Sequence, residues 1–126
     1  MNFIHTHGIV HRDLHPGNVF KFENNDIEKW KLADFALAFD TNNDVSCGER
    51  HPGCYGDMDF ISPEQINNFD IVSFQDDIYS VGRLINFIFT KRAKNSNHTL
   101  KEISEKYCSR HIENRYSSSA ILLSDF

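Results

Sequence analysis

Cysteine is scarce in this chain: three occur in 126 residues, with no Cys-x-x-Cys pair. An odd count without paired spacing argues against a disulfide framework and sets a reducing, cytoplasmic or nuclear compartment as the default. Long apolar runs are missing as well. The best candidates, Ile85 to Phe89 and Ala120 to Leu123, fall far short of the roughly 20 residues that span a bilayer. Residues Met1 to His11 have neither the basic start nor the apolar stretch of a signal peptide. Positive charge is in deficit, with 13 Lys and Arg against 18 Asp and Glu, a formal net charge of −5. That balance argues against nucleic acid or an anionic membrane as the main partner. Internal repeats and low-complexity tracts are absent.

What is present is enough for one domain with a real core: 40% hydrophobic residues, including eleven Phe. The pattern predicts a helix end over residues 1–8, with Phe3 and Ile4 inward and Gly8 as a left-handed cap. A short buried strand follows at Ile9 and Val10. Val19 to Phe22 and Trp30 to Ala33 read as a hairpin with a longish polar tip, Glu23 to Glu28. Residues 40–56 mix Asn, Asp, Ser, Gly and Pro without periodicity and read as a loop. Ile78, Val81, Ile85, Ile88 and Phe89 recur at helical spacing and predict a central helix over about 73–91 with a buried stripe. Shorter helices are expected over Thr99 to Tyr107 and Ser117 to Leu123.

Chemistry concentrates in His11-Arg12-Asp13-Leu14-His15-Pro16-Gly17-Asn18, followed after the hairpin by Asp34-Phe35. Phosphoryl transfer needs a carboxylate to orient or deprotonate the attacking hydroxyl, and oxygen ligands for the Mg²⁺ ions that neutralise a triphosphate. Asp13 suits the first role; Asn18 and Asp34 suit the second. Cys47, His51, Cys54 and Cys108 match no familiar zinc spacing. His5, His7, His98 and His111 read as surface or capping residues.

The set resembles the catalytic loop and metal-binding motif of protein kinases. The Leu14 to Asn18 portion is equally similar to small-molecule kinases of the aminoglycoside and choline type. Three later motifs separate the branches. Ser62-Pro63-Glu64 resembles the end of a kinase activation segment. Asp77-Ile78-Tyr79-Ser80-Val81-Gly82 resembles the start of the central helix in the C-terminal lobe. Asn114-Arg115-Tyr116-Ser117 resembles the Arg-Pro-Ser element before the last helix. Their order favours the protein-kinase branch, and Pro16 leans toward its serine/threonine members.

The resemblance implies an α+β, mainly α fold: a kinase C-terminal lobe over residues 1–126, with a short β-hairpin beside the catalytic loop. Its parts are a catalytic loop (9–18), an activation segment (34–64), a central helix (about 73–91) and terminal helices (99–126). It implies ATP and Mg²⁺ as cofactors, a protein substrate and an upstream activating kinase. Asp13 would receive the acceptor hydroxyl, while Asn18 and Asp34 hold Mg²⁺ and His15 contacts phosphate. His11 and Phe35 would pack beneath the site. Asp77 would take backbone N–H bonds from the catalytic loop, and Glu64 and Arg115 would form a buried ion pair. Arg12 would bind a phosphorylated loop residue (Thr41, Ser46 or Tyr55) or pair with Asp40, Asp44 or Glu49.

Three positions depart from the pattern. Ala36 replaces glycine in the metal motif, restricting its backbone. His15 replaces a lysine. Asp57 replaces a threonine, which would set a second carboxylate against Asp13. The stretch from Asp77 to Arg115 is short, implying reduced peptide docking. No glycine-rich loop, strand lysine or partner glutamate occurs, so weak ATP binding and little turnover are expected of this piece alone. A pseudokinase-type interaction module and a small-molecule phosphotransferase are the alternatives.

Overall fold

A computed structural model describes residues 1–24, 27–46, 56–70, 73–92 and 98–122. Helices combine with two small antiparallel sheets. The long helix α3 (Phe74–Arg92) and the helix α4 (His98–Tyr107) pack against each other. Ile78 and Val81 of α3 meet Ile103 and Tyr107 of α4, and Tyr116 closes the cluster. Ile78 and Tyr107 are fully buried, each contributing roughly 1.5–3 kcal/mol by leaving water. The helices cross at Gly82, where a methyl group would overlap Tyr107 Cβ and approach the Cys108 amide nitrogen to 2.8 Å. No helix among the described residues is long and apolar enough to cross a membrane.

The first helix, α1 (Asn2–Thr6), is short. Gly8 after it has φ +78°, a conformation that glycine adopts without a Cβ penalty. Phe3 does not face inward; it is 75% exposed and stacks on His7, while Ile4 is half-buried. Strand β1 (Ile9–Val10) then pairs with β4 (Phe39–Asp40), which pairs with β5 (Val45–Ser46). Part of the expected 40–56 loop is therefore a hairpin on β1. Cross-strand bonds satisfy backbone groups there that composition alone could not place. Residues 47–55 lie outside the described residues, with Cys47, Glu49, His51, Cys54 and Tyr55 among them.

Between β1 and β4 lie a 3₁₀ turn (Pro16–Asn18) and a hairpin of β2 (Val19–Asn24) and β3 (Ile27–Leu32). Pairing runs from Val19 with Leu32 to Asn24 with Ile27. The strands are longer, and the tip shorter, than polarity suggests. Lys21 explains part of this, with its ammonium 2.8 Å from Glu23 and 2.5 Å from Glu28.

A further helix, α2 (Pro63–Asn67), went unread in the sequence. It has a full capping box: Ser62 Oγ accepts from the Gln65 amide, and Gln65 accepts from the Ser62 amide. The last helix, α5 (Ser119–Leu122), is shorter than Ser117 to Leu123 implied. The buried stripe of α3 also ends early. Ile88 is 46% exposed, since α4 covers only part of the helix.

Candidate active site

The start of α3 and the end of β1 meet through one carboxylate. Asp77, fully buried, accepts the His11 amide at 2.8 Å and the Arg12 amide at 2.9 Å. Arg12 has φ +66°, so its backbone turns left-handed and two successive amides face the same anion. A non-glycine residue in that region stores about 1–3 kcal/mol of strain, offset here by the bonds that hold it. Gln65 Nε2 donates to the Arg12 carbonyl at 3.0 Å, fastening α2 to the same turn.

The next residue carries the exposed chemistry. Asp13 Oδ1 accepts the Asp57 amide at 3.1 Å, and Oδ2 accepts Asn18 Nδ2 at 3.4 Å. Asn18 Nδ2 also donates to the Asp13 carbonyl at 3.0 Å, closing the 13–18 loop on itself. With its amide nitrogen so used, the Asn18 side-chain oxygen Oδ1 takes no protein donor among the described residues. The Ala33 amide donates to the Asn18 carbonyl at 3.0 Å, which sets Asp34 beside the loop's end. Asp34 has φ +59°, and its Oδ1 accepts the Ala36 amide at 3.2 Å. Its carboxylate is otherwise exposed.

This geometry coincides with a family match. The protein kinase domain model matches residues 1–124. The chain belongs to the protein kinase family. It is 36% identical over 93 residues to the serine/threonine-protein kinase PknB of Mycolicibacterium smegmatis, covering 71% of this chain and 14% of that protein. It is 33% identical over 85 residues to the interferon-induced, double-stranded RNA-activated protein kinase of Rattus norvegicus, covering 68% and 15%. Its likeness to the probable serine/threonine-protein kinase PLK of Dictyostelium discoideum is 33% over 85 residues, covering 68% and 8%. The chain thus spans about one seventh or less of the length of these relatives.

Within this kinase-family chain, His15 stands between two acids. Its Nδ1 accepts the Gly17 amide at 3.2 Å, so the neutral ring carries its proton on Nε2. Nε2 lies 3.8 Å from Asp13 Oδ2, and Nδ1 lies 3.9 Å from Asp57 Oδ2. Asp57 meets Asp13 otherwise than expected. The Asp57 backbone, not its carboxylate, bonds Asp13, while Asp57 Oδ1 accepts the Asp59 amide at 3.0 Å. Gly56 (φ +82°) lies so close that a Cβ would come within 2.7 Å of Asp13 Oδ1.

Arg12 is buried, and its guanidinium donates to the Leu37 carbonyl, the Phe69 carbonyl and Ser46 Oγ. The rings of Phe39 and Phe69 lie 5.1 and 4.6 Å from its Cζ. Asp40 is engaged elsewhere: the Asn43 side chain and the Asn42 amide bond its carboxylate and hold its pKa below the ordinary value. His11 is fully buried, with Nε2 bonded to the Ala33 carbonyl at 3.0 Å and its ring 4.7 Å from that of Phe35. Phe35 itself is 36% exposed, so it packs over His11 rather than into the core. Arg115 and Glu64 form a two-pronged ion pair at 2.9 and 3.0 Å.

Two participants escaped sequence reading. His5 is no surface residue: Nε2 lies 2.8 Å from Asp77 Oδ2, and Nδ1 lies 3.1 Å from Ser119 Oγ. It joins α5 to the carboxylate that holds the Arg12 turn. Asp76, beside Asp77, is also buried, accepting Ser62 Oγ at 2.6 Å and the Ser73 amide at 2.9 Å. Burial raises its pKa against those bonds, helped by the nearby charges of Asp77 and Glu64. The only sequence signal was the Asp76-Asp77 pair at a helix start, which reads equally well as a solvated cap.

Proposed function

We propose that this chain carries the phosphoryl-transfer loop of a serine/threonine protein kinase and acts on protein hydroxyls. The observation that carries the reading is the Asp13–Asn18 bond above the Asp77 cradle. A part-exposed carboxylate is held by backbone and amide donors, on a turn that the interior has immobilised. Asp13 receives the acceptor hydroxyl and aims its oxygen at the phosphate, an effect of positioning and charge. Asn18 supplies a free amide oxygen and Asp34 a carboxylate, the hard-oxygen donors that Mg²⁺ takes. When bound, Mg²⁺-ATP supplies the phosphoryl group and neutralises its charge. His15 Nε2–H faces the same space and donates to phosphate. We read the 1–126 region as the C-terminal lobe of the fold.

Regulation by an upstream kinase fits one of the candidate hydroxyls best. Ser46 Oγ already lies 3.1 Å from Arg12, so a phosphate there gains a charge-assisted partner. Thr41 Oγ1 instead donates to the Gly8 carbonyl at 2.8 Å.

The test follows backbone amide NMR signals during Mg²⁺-ATP titration, together with transfer from radiolabelled ATP to a serine-rich acceptor protein. Shifts at Asn18 and Asp34 are expected, lost in Asp34→Asn. Asp13→Asn keeps the shifts and loses at least about 10²-fold in transfer. Shifts confined to other residues would sink the reading.

A further inference from the structure

Beside the Asp13 crevice lies a cavity of about 290 Å³ lined by Asp59, Phe60, Arg83, Asn86, Phe87 and Thr90. The crevice around Asp13 is lined by Phe60 as well, so the two share a wall. A chain of hydrogen bonds connects them. Asp57 donates to Asp13, Asp59 donates to Asp57 Oδ1, and Arg83 Nε donates to the Asp59 carbonyl at 2.8 Å. The cavity is thus within a few residues of extended chain from the acceptor position, at about 3.3 Å per residue.

Its chemistry is specific. The floor is apolar, with Phe60 and Phe87 edge to face at 5.8 Å. The Arg83 guanidinium uses one N–H on Asp59 and forms no ion pair among the described residues. Its terminal nitrogens are left to grip a carboxylate in the two-pronged way that Arg favours. The Asp59 carboxylate balances the charge of the lining, so selection comes from the fork contact rather than from a net field.

We propose that this cavity is a specificity pocket for an acidic side chain, Asp or Glu, of the acceptor protein, set near the phosphorylated residue. The proposal rests on Asp13 as the acceptor-orienting group. Arg83 selects the substrate and takes no part in the transfer step.

The test is fluorescence anisotropy with labelled serine-centred peptides in which a single Asp is walked along both sides of the serine. One register binds about tenfold tighter than the peptide with Ala throughout, the scale of one charge-assisted contact. Arg83→Glu removes that preference and gives it to a Lys at the same register. Asp59→Asn, a surface change that leaves the fold intact, strengthens binding of the Asp peptide. Equal binding of the Asp and Ala peptides, no measurable binding of any peptide, or an Asp preference that survives Arg83→Glu overturns the pocket. Transfer is read separately. A chain that discriminates the peptides but moves no phosphate keeps the pocket and loses the kinase reading.

Discussion

The two sides of the Arg12–Asp13 turn are built on opposite rules. Beneath it, His5, Asp77, Arg12, Ser62, Gln65 and Asp76 are joined in a buried net in which each bonds at least one other protein group. Above it, Asn18 and Asp34 keep side-chain oxygens without a protein donor among the described residues, and His15 makes only loose contacts of 3.8–3.9 Å with Asp13 and Asp57. A buried polar group without a partner costs far more than a made bond contributes, so the interior must saturate its groups. Chemistry on a substrate needs the reverse: groups held in place but not yet engaged. Adjacent residues obey different constraints because the chain passes from one environment to the other between Arg12 and Asp13.

That contrast can be broken by mutation. Asp77→Ala strands the His11 and Arg12 amides and His5 and should cost about 3–5 kcal/mol. Arg115→Ala leaves the Ser109 and Gln75 carbonyls and the part-exposed Glu64 without their partner and should cost about 2–3 kcal/mol. Asp13→Ala should cost under about 1 kcal/mol. Equal urea midpoints for the three variants would end the distinction.

The glycines sharpen it. Gly82→Ala forces α3 and α4 apart and should lower stability by about 1–3 kcal/mol without touching the acidic cluster. Gly56→Ala pushes on Asp13 Oδ1 and adds strain from φ +82°, so phosphate transfer should fall by a larger factor than in Gly82→Ala. Paired denaturation and transfer assays check this. Equal losses of transfer in the two variants would contradict it.

Asp76 gives a smaller, pH-dependent effect. Burial raises its folded pKa above the ordinary carboxylate value, so the folded chain binds that proton more tightly than the unfolded one. The stability from this carboxyl is complete below the unfolded value and is lost as pH rises through the folded one. Asp76→Asn removes the dependence. Wild-type stability minus that of Asp76→Asn should therefore fall as pH rises above 4, read from urea midpoints at successive pH values. A flat difference would show that the Ser62 and Ser73 bonds cancel the cost of burial.

Motif order made the 11–18 loop, its bond between Asp13 and Asn18, and the long helix readable, because each needs particular residue types at short spacing. Helical periodicity located Ile78 and Val81 correctly but misjudged Ile88, since period reports a face and not how far a neighbour covers it. His5 was misread because a histidine beside Thr and His in a polar stretch looks the same exposed or buried. Its partners are 72 and 114 residues away. The capping box at Ser62 and Gln65 was legible in principle, but the helix it starts spans just five residues.

Local chemistry, then, was written in the chain order: which groups can accept and donate, and where a turn requires Gly8. Folding alone assigned environments. It placed Asp77 in the interior and Asp13 at its edge, put Asp57's amide rather than its acid against Asp13, and left Arg83 in a cavity without an ion-pair partner among the described residues. Burial depends on contacts between residues far apart in sequence, and the energy of a charge depends on burial more than on identity.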